Sequence, residues 1–309
     1  MMRTSEDVFD QQDTINDQRR LFMAALALGG AALGGNPVSA EAVGQGPLSR
    51  RMEQRIDHYI KGLRRRGVIP ADERTAWSVY DFTLKAKLVS INEDYPRQSA
   101  SMIKPFVAQA YFYRTLEQPG RFRYTHRVRT LMEAMIRHSD NSATNYFIDR
   151  VGEGNPRNVE RVLKRRAPGI FRQTRIVERI PSGGRTYRNL ASARDYSRYL
   201  YALWHETLPN AREIKHLMGL PNRDRLYHGP NNTATVYDKT GTTARLCGNM
   251  GIIAARGRDG REYPYTFIAI IEKTRRASNY YTWSRHRGSV IREVSNLVYQ
   301  DLKATHRLI

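Results

Sequence analysis

The residues Ser101-Met102-Ile103-Lys104 set a hydroxyl and an amine three positions apart, and on a helix such a pair shares one face. A serine hydroxyl is a weak nucleophile at neutral pH unless a base lies within hydrogen-bond reach. A lysine can be that base when burial and neighbouring cations depress its pKa far enough to leave the amine neutral. The flanking Met102, Ile103, Phe106 and Val107 are apolar, which places the segment in a core where an unpaired lysine would be costly. Further along, Ser139-Asp140-Asn141 puts three short polar side chains in a row, a composition that serves equally well as a helix N-cap. Lys239-Thr240-Gly241 falls in a β-rich stretch. There the lysine offers charge to a carboxylate, the threonine a hydroxyl, and the glycine lets another backbone approach the strand. The plainer use of this last triplet is a solvated strand end with a turn glycine.

Taken together and in this order, the three motifs resemble those of the penicillin-binding protein and class A β-lactamase superfamily of active-site serine hydrolases, over residues 48–302. The resemblance implies an acyl-enzyme formed at Ser101 with Lys104 as its base, and substrates that are D-Ala-D-Ala peptidoglycan peptides or β-lactams. It implies that Ser139 passes a proton to the leaving nitrogen, that Asn141 hydrogen-bonds the substrate amide, and that Asp140 holds the loop. Substrate binding falls to Lys239, Thr240, Gly241 and Thr242, the backbone N–H of Thr242 joining that of Ser101 as an oxyanion hole. No cofactor is implied. The eight histidines form no His-Glu-x-x-His, and the lone Cys247 cannot build a thiolate metal site.

Hydrolysis of the acyl-enzyme is less clearly written. Class A β-lactamases position the deacylating water with a glutamate on a loop between the second and third motifs, in a Glu-x-x-Leu-Asn pattern. Here that region reads Val177-Glu178-Arg179-Ile180-Pro181-Ser182-Gly183-Gly184, without the Leu-Asn pair, and Glu178 is the only acid between Glu160 and Asp195. Glu178 is therefore the sole candidate base for deacylation, set against a surface glutamate between Arg175 and Arg179. A D-Ala-D-Ala peptidase fits this departure better than a fast β-lactamase. A class A β-lactamase with Glu178 as base is the alternative. A non-catalytic cell-wall-binding module is a further one, although such a module has no use for both Ser101 and Lys104.

The elements that must position these residues are visible in the hydrophobic pattern. Leu48, Met52, Ile56, Tyr59, Ile60 and Leu63 recur at helical spacing before Gly67 and Pro70. Residues 76–82 and 84–91 read as a β-hairpin, and 105–116 as a long apolar helix. A helical pattern over 127–154 breaks only at His138-Ser139-Asp140-Asn141; helices follow over 158–166 and 192–204. Strands return at 233–240, 246–255 and 263–272, and the stripe Val290, Ile291, Val294, Leu297, Val298 and Leu302 marks a C-terminal helix. The expected fold is α/β (α+β), β-lactamase/transpeptidase-like. Its five-stranded antiparallel sheet is flanked by terminal helices and joined to an all-helical lobe, with the sheet lobe over 48–100 and 232–305 and the helical lobe over 101–231. Cys247 reads as a small buried strand residue.

The 309-residue chain carries a formal net charge of +21, which implies attraction to polyanions and says nothing about fold. Residues 1–40 read as an export signal similar to the twin-arginine type, with Arg19-Arg20-Leu21-Phe22-Met23, an apolar run to Leu33 and a cleavage site after Ala40. That run is short for a membrane span, so no stable transmembrane anchor is expected, and the location is periplasmic or otherwise exported. Clusters such as Arg64-Arg65-Arg66, Lys164-Arg165-Arg166, Arg275-Arg276 and Arg285-His286-Arg287 suit anionic cell-envelope polymers or a solvated face. Export and the scatter of these clusters argue against nucleic acid as the partner.

Overall fold

The computed structural model describes residues 46–181 and 188–309; the expected export signal of residues 1–40 and the Ser182-Gly183-Gly184 stretch lie outside them. The first helix, α1 (Pro47–Arg65), starts with proline in its first turn, where a missing N–H costs nothing, and ends on Arg64 and Arg65 at its negative dipole end. Next come β1 (Glu73–Asp81), β2 (Ala86–Ile91) and the two-residue β3 (Arg97–Gln98). A 3₁₀ turn (Ala100–Ile103) then feeds α2 (Lys104–Glu117). Three helices follow: α3 (His126–Ile136), α4 (Asn141–Gly152) and α5 (Pro156–Arg166). After β4 (Leu190–Ala191), α6 (Ala193–Trp204) and α7 (Ala211–Gly219), the chain returns to the sheet as β5 (Thr235–Thr243), β6 (Leu246–Arg256) and β7 (Glu262–Lys273). It closes with α8 (Tyr280–His306).

The main sheet has the order β2-β1-β7-β6-β5, every pair antiparallel. This is the expected five-stranded sheet drawn from both ends of the chain. Its central strands are covered on both faces, so side chains alternate between two cores. Ile268 and Ile270 of β7 face the helical lobe, while Phe267, Ala269 and Ile271 face α1 and α8. Cys247 on β6 is buried, and burial raises its thiol pKa. Two elements were illegible in the sequence. The short β3–β4 pair has too few residues for a periodic signal, and α7 is a nine-residue helix. No helix among the described residues is long and apolar enough to cross a membrane.

Glycine fixes how the nucleophile turn meets the sheet. Gly241 on β5 lies directly opposite Gly248 on β6, and the missing side chains make a socket for Met102. A Cβ on Gly248 would lie 2.7 Å from Met102 Cε and 2.9 Å from the Ala269 carbonyl oxygen. On Gly241 it would lie 2.9 Å from Met102 Cγ, 3.1 Å from the Ser99 carbonyl oxygen and 3.2 Å from Ala100 Cβ. Gly241, expected to be small so that a substrate backbone can approach, is also the surface on which the turn carrying Ser101 rests. Gly248→Ala should lower unfolding free energy by about 1–3 kcal/mol through overpacking, read by urea denaturation. Combining it with Met102→Ala should cost less than the two changes summed; strictly additive losses would show that the socket does not exist.

Candidate active site

Ser101 lies in the 3₁₀ turn rather than in the α-helix, one turn ahead of Lys104, and is half-buried. The preceding Ala100 has φ +45°, a left-handed conformation that costs a residue with a Cβ and persists only where surrounding packing enforces it. That packing is the contact with Gly241. Behind it, the Ser99 backbone N–H and hydroxyl donate to the Asn189 carbonyl at 2.9 and 3.0 Å, which ties the turn to the segment leading into β4.

Lys104 opens α2 with its side chain fully buried. Its amine donates to the Ser139 carbonyl (2.6 Å), the Asn141 Oδ1 (2.9 Å) and the Ser139 hydroxyl (3.1 Å), with the Asp140 carbonyl a longer shared contact at 3.5 Å. The sequence spacing places this amine beside the Ser101 hydroxyl; in the structure its hydrogen bonds all go to the second motif, and Ser101 Oγ is not among its partners. All its acceptors are uncharged, so its hydrogen bonds offset the desolvation of an ammonium only in part. Burial, followed by the positive charge of Lys239, brings the Lys104 pKa down to about 7, against an opposing pull from Asp140.

The second motif serves both uses that its composition suggests. Asp140 caps α4, its carboxylate accepting the Ala143 N–H at 2.6 Å. This cap turns the chain so that Ser139 and Asn141 flank it and reach Lys104. Ser139 has φ +57°, which aims its carbonyl as well as its hydroxyl at the amine.

The third motif runs along β5, the edge strand beside the nucleophile turn. Lys239 is buried, donates to the Thr240 carbonyl at 3.1 Å, and has its pKa lowered to about 8 by burial and by Arg225, against Asp238. Behind the strand, Arg225 donates to Thr242 Oγ1 (2.6 Å) and to the Gly248 carbonyl (2.9 Å), and its backbone N–H to Asn249 Oδ1 (3.0 Å). Nothing in the sequence near Arg225 marks it as the residue that fixes the third motif. Ser139, Lys239 and Thr240 open on a cleft of about 530 Å³.

Glu178 sits on a loop pinned at both sides. Asn145 of α4 exchanges hydrogen bonds with the Ile180 backbone (2.7 and 2.8 Å), and the Asn189 amide oxygen accepts from Val177 and Glu178 N–H (2.8 and 3.1 Å). Sequence reading missed both asparagines, which are ordinary loop residues until the fold brings them to these backbones. The Glu178 carboxylate accepts from the Arg188 backbone N–H (2.9 Å) and guanidinium (3.0 Å). Neither Ser101 nor Lys104 is among its partners in these bonds. Arg179, its chain neighbour, pairs with Asp149 at 3.0 Å instead. Among the described residues no cluster of three His, Cys, Asp or Glu is placed to hold a metal ion.

The sequence model of the Beta-lactamase enzyme family matches residues 113–302, a span that includes the second and third motifs and begins after the Ser101–Lys104 turn. Curated protein sequences give no match. Among solved structures, a mutant of PBP-A in an acyl-enzyme complex with penicillin G superposes with a TM-score of 0.65 at 20% identity, covering 82% of this chain and 97% of that one. A class A β-lactamase representative from Bacteroides cellulosilyticus gives 0.64 at 16% identity, covering 83% and 98%. An ancestral class A β-lactamase gives 0.61 at 19% identity, covering 79% and 99%. With the family model spanning more than half of the chain, the chain belongs to the Beta-lactamase enzyme family, and the superpositions show the class A β-lactamase fold.

Proposed function

We infer that the protein is an exported serine hydrolase that forms an acyl-enzyme at Ser101 and acts on D-Ala-D-Ala peptidoglycan peptides or the β-lactams that mimic them. The observation that carries this reading is the buried Lys104 amine, brought to a pKa of about 7 and held against Ser139 and Asn141. A mutant of PBP-A, of the same fold, has been captured as an acyl-enzyme with penicillin G, which supports the same chemistry here.

In the proposed reaction neutral Lys104 takes the Ser101 proton as Oγ attacks the carbonyl carbon. The developing oxyanion faces the backbone N–H groups of Ser101 and Thr242. The proton then passes from Lys104 through the Ser139 hydroxyl, 3.1 Å away, to the leaving nitrogen as the C–N bond breaks. Lys239 and Thr240 hold the substrate carboxylate, and water later cleaves the ester.

With its carboxylate turned to Arg188, Glu178 is poorly disposed to activate that water, and a D,D-peptidase that retains penicillin is favoured over a fast β-lactamase. Incubation with a fluorescent penicillin and intact-mass measurement should show one adduct, absent in Ser101→Ala, with a lifetime of minutes or longer. Glu178→Gln should leave that lifetime within about twofold; a Glu178→Gln adduct that persists at least a hundredfold longer would assign Glu178 as the deacylating base.

The two lysines set the pH dependence. Lys104 must be neutral to accept the proton, so acylation rises as pH passes about 7. Lys239 must be charged to hold the carboxylate, so acylation falls as pH passes about 8. The second-order acylation rate should be bell-shaped with its maximum between these values. A rate that climbs without a maximum to pH 10 would remove Lys239 as the charged clamp.

A further inference from the structure

The cleft of about 530 Å³ that begins at Ser139, Lys239 and Thr240 continues between Arg137, His138 and Arg223. Arg137 ends α3, and the opposite wall is the segment Pro221-Asn222-Arg223. The two walls are joined, because Arg137 Nε donates to the Pro221 carbonyl at 3.3 Å while its other face pairs with Glu133 at 2.9 Å. The segment is also fastened behind Lys239, through a hydrogen bond from Asn222 to the buried Asp238. Beyond Arg223 the backbone is held again, by Arg292 on the Asp224 carbonyl at 2.9 Å. Arg223 thus sits between two anchors, exposed, and among the described residues no carboxylate pairs with it. Such a guanidinium offers a fixed fork for a second anion.

The proposed roles give this cleft a direction. Ser139 delivers the proton to the leaving nitrogen and Lys239 takes the carboxylate of the leaving residue, so the space beyond them holds whatever else the leaving residue carries. We propose that Arg223, with Arg137 and His138, forms a subsite for a second carboxylate on the leaving residue. The preferred substrate is then an acyl-D-alanyl peptide ending in a dicarboxylic amino acid rather than in D-alanine alone. This rests on the acyl-transfer reading above and extends it to the substrate class. The charge of the cleft disfavours a lysine-like leaving side chain, since Glu133 is engaged on the far side of Arg137 and Asp238 is buried behind Lys239.

Competition tests it without requiring turnover. N-acetyl-D-alanyl-D-glutamate and the isosteric N-acetyl-D-alanyl-D-glutamine are titrated against Ser101 acylation by fluorescent penicillin on the full chain. The glutamate peptide should compete about tenfold more tightly than the glutamine peptide, with the ratio shrinking as salt is raised. Arg223→Ala should bring the ratio close to one and Arg223→Lys only part of the way, while penicillin acylation stays within about twofold of wild type because Arg223 lies outside the acylating group. Equal competition by the two peptides, with penicillin acylation intact, overturns the subsite and leaves the acyl-transfer reading standing. A ratio that survives both Arg223→Ala and Arg137→Gln overturns it equally. Absence of any penicillin adduct instead overturns the acyl-transfer reading and the subsite with it.

Discussion

A fully buried ammonium whose hydrogen-bond partners are all neutral oxygens is the constraint around which the rest of this structure is arranged. Lys104 receives three acceptors, a longer fourth contact and no carboxylate, so its charged form is satisfied in geometry but undercompensated in charge. Lys239 repeats the arrangement on the sheet side and adds repulsion to the first. Both amines therefore have folded-state pKa values, about 7 and about 8, below the ordinary value near 10.5. The sign of the linkage is fixed: the stability these groups confer is fully present above their unfolded-state pKa, and it is lost as pH falls through the folded values. Near neutrality the fold tolerates two destabilising lysines, a cost that has a use only if a neutral amine and a charged one are needed side by side.

Lys87 shows what burial looks like when no chemistry is asked of it. It is equally buried, on β2, and burial lowers its pKa too, but its amine meets the Glu93 carboxylate at 3.0 Å, which pulls the other way, and the hydroxyls of Ser78 and Ser197 at 2.8 Å each. Glu93 in turn takes Arg194 at 3.1 Å. This pair, with donors and acceptors from β1, β2 and α6, joins the sheet to the helical lobe, and removing either partner would strand the other charge. Much of the chain's basic character is spent in the same way. Arg287 is buried against Glu73, and Arg165 and Arg166 share Glu117. Three of the basic clusters that read as polyanion-binding surface include residues with such structural partners, since Arg64 also donates to the Glu73 carbonyl.

The three motifs were legible because each is a contiguous run whose chemistry depends on residues one helical turn or one strand step apart. The sheet was legible for a related reason, its central strands being long, nearly continuous apolar runs. What the sequence did not carry are relations between distant segments. Met102 reads as a core residue, and nothing local says that Gly241 and Gly248 are its socket or that this fixes where Ser101 stands. Asn145 and Asn189 pin the Glu178 loop through its backbone, a role without a compositional mark. The spacing from Ser101 to Lys104 suggested a direct hydrogen bond; the 3₁₀ turn and the pull of Ser139 and Asn141 sent the amine to the second motif instead. Arg188 lies ten residues from Glu178, so the partner that claims its carboxylate was invisible beside the nearer Arg175 and Arg179.

The parts of the site differ in how firmly they are held, and this separates the two halves of an acyl-transfer cycle. The nucleophile turn is clamped between a glycine socket and the Asn189 carbonyl, and Lys104 is locked by a capped helix start, so the acylating groups cannot drift without disturbing the packing of both lobes. The Glu178 loop is held mainly through its backbone, and its acid is engaged by the Arg188 backbone and guanidinium. Preorganisation lowers a barrier only for groups already in place. On the acyl-transfer reading proposed above, a site built this way would be prepared to form the ester with less preparation for breaking it, which would suit a peptide substrate whose leaving residue departs and clears the cleft for water. A β-lactam, whose leaving nitrogen stays tethered, would meet the same groups and remain.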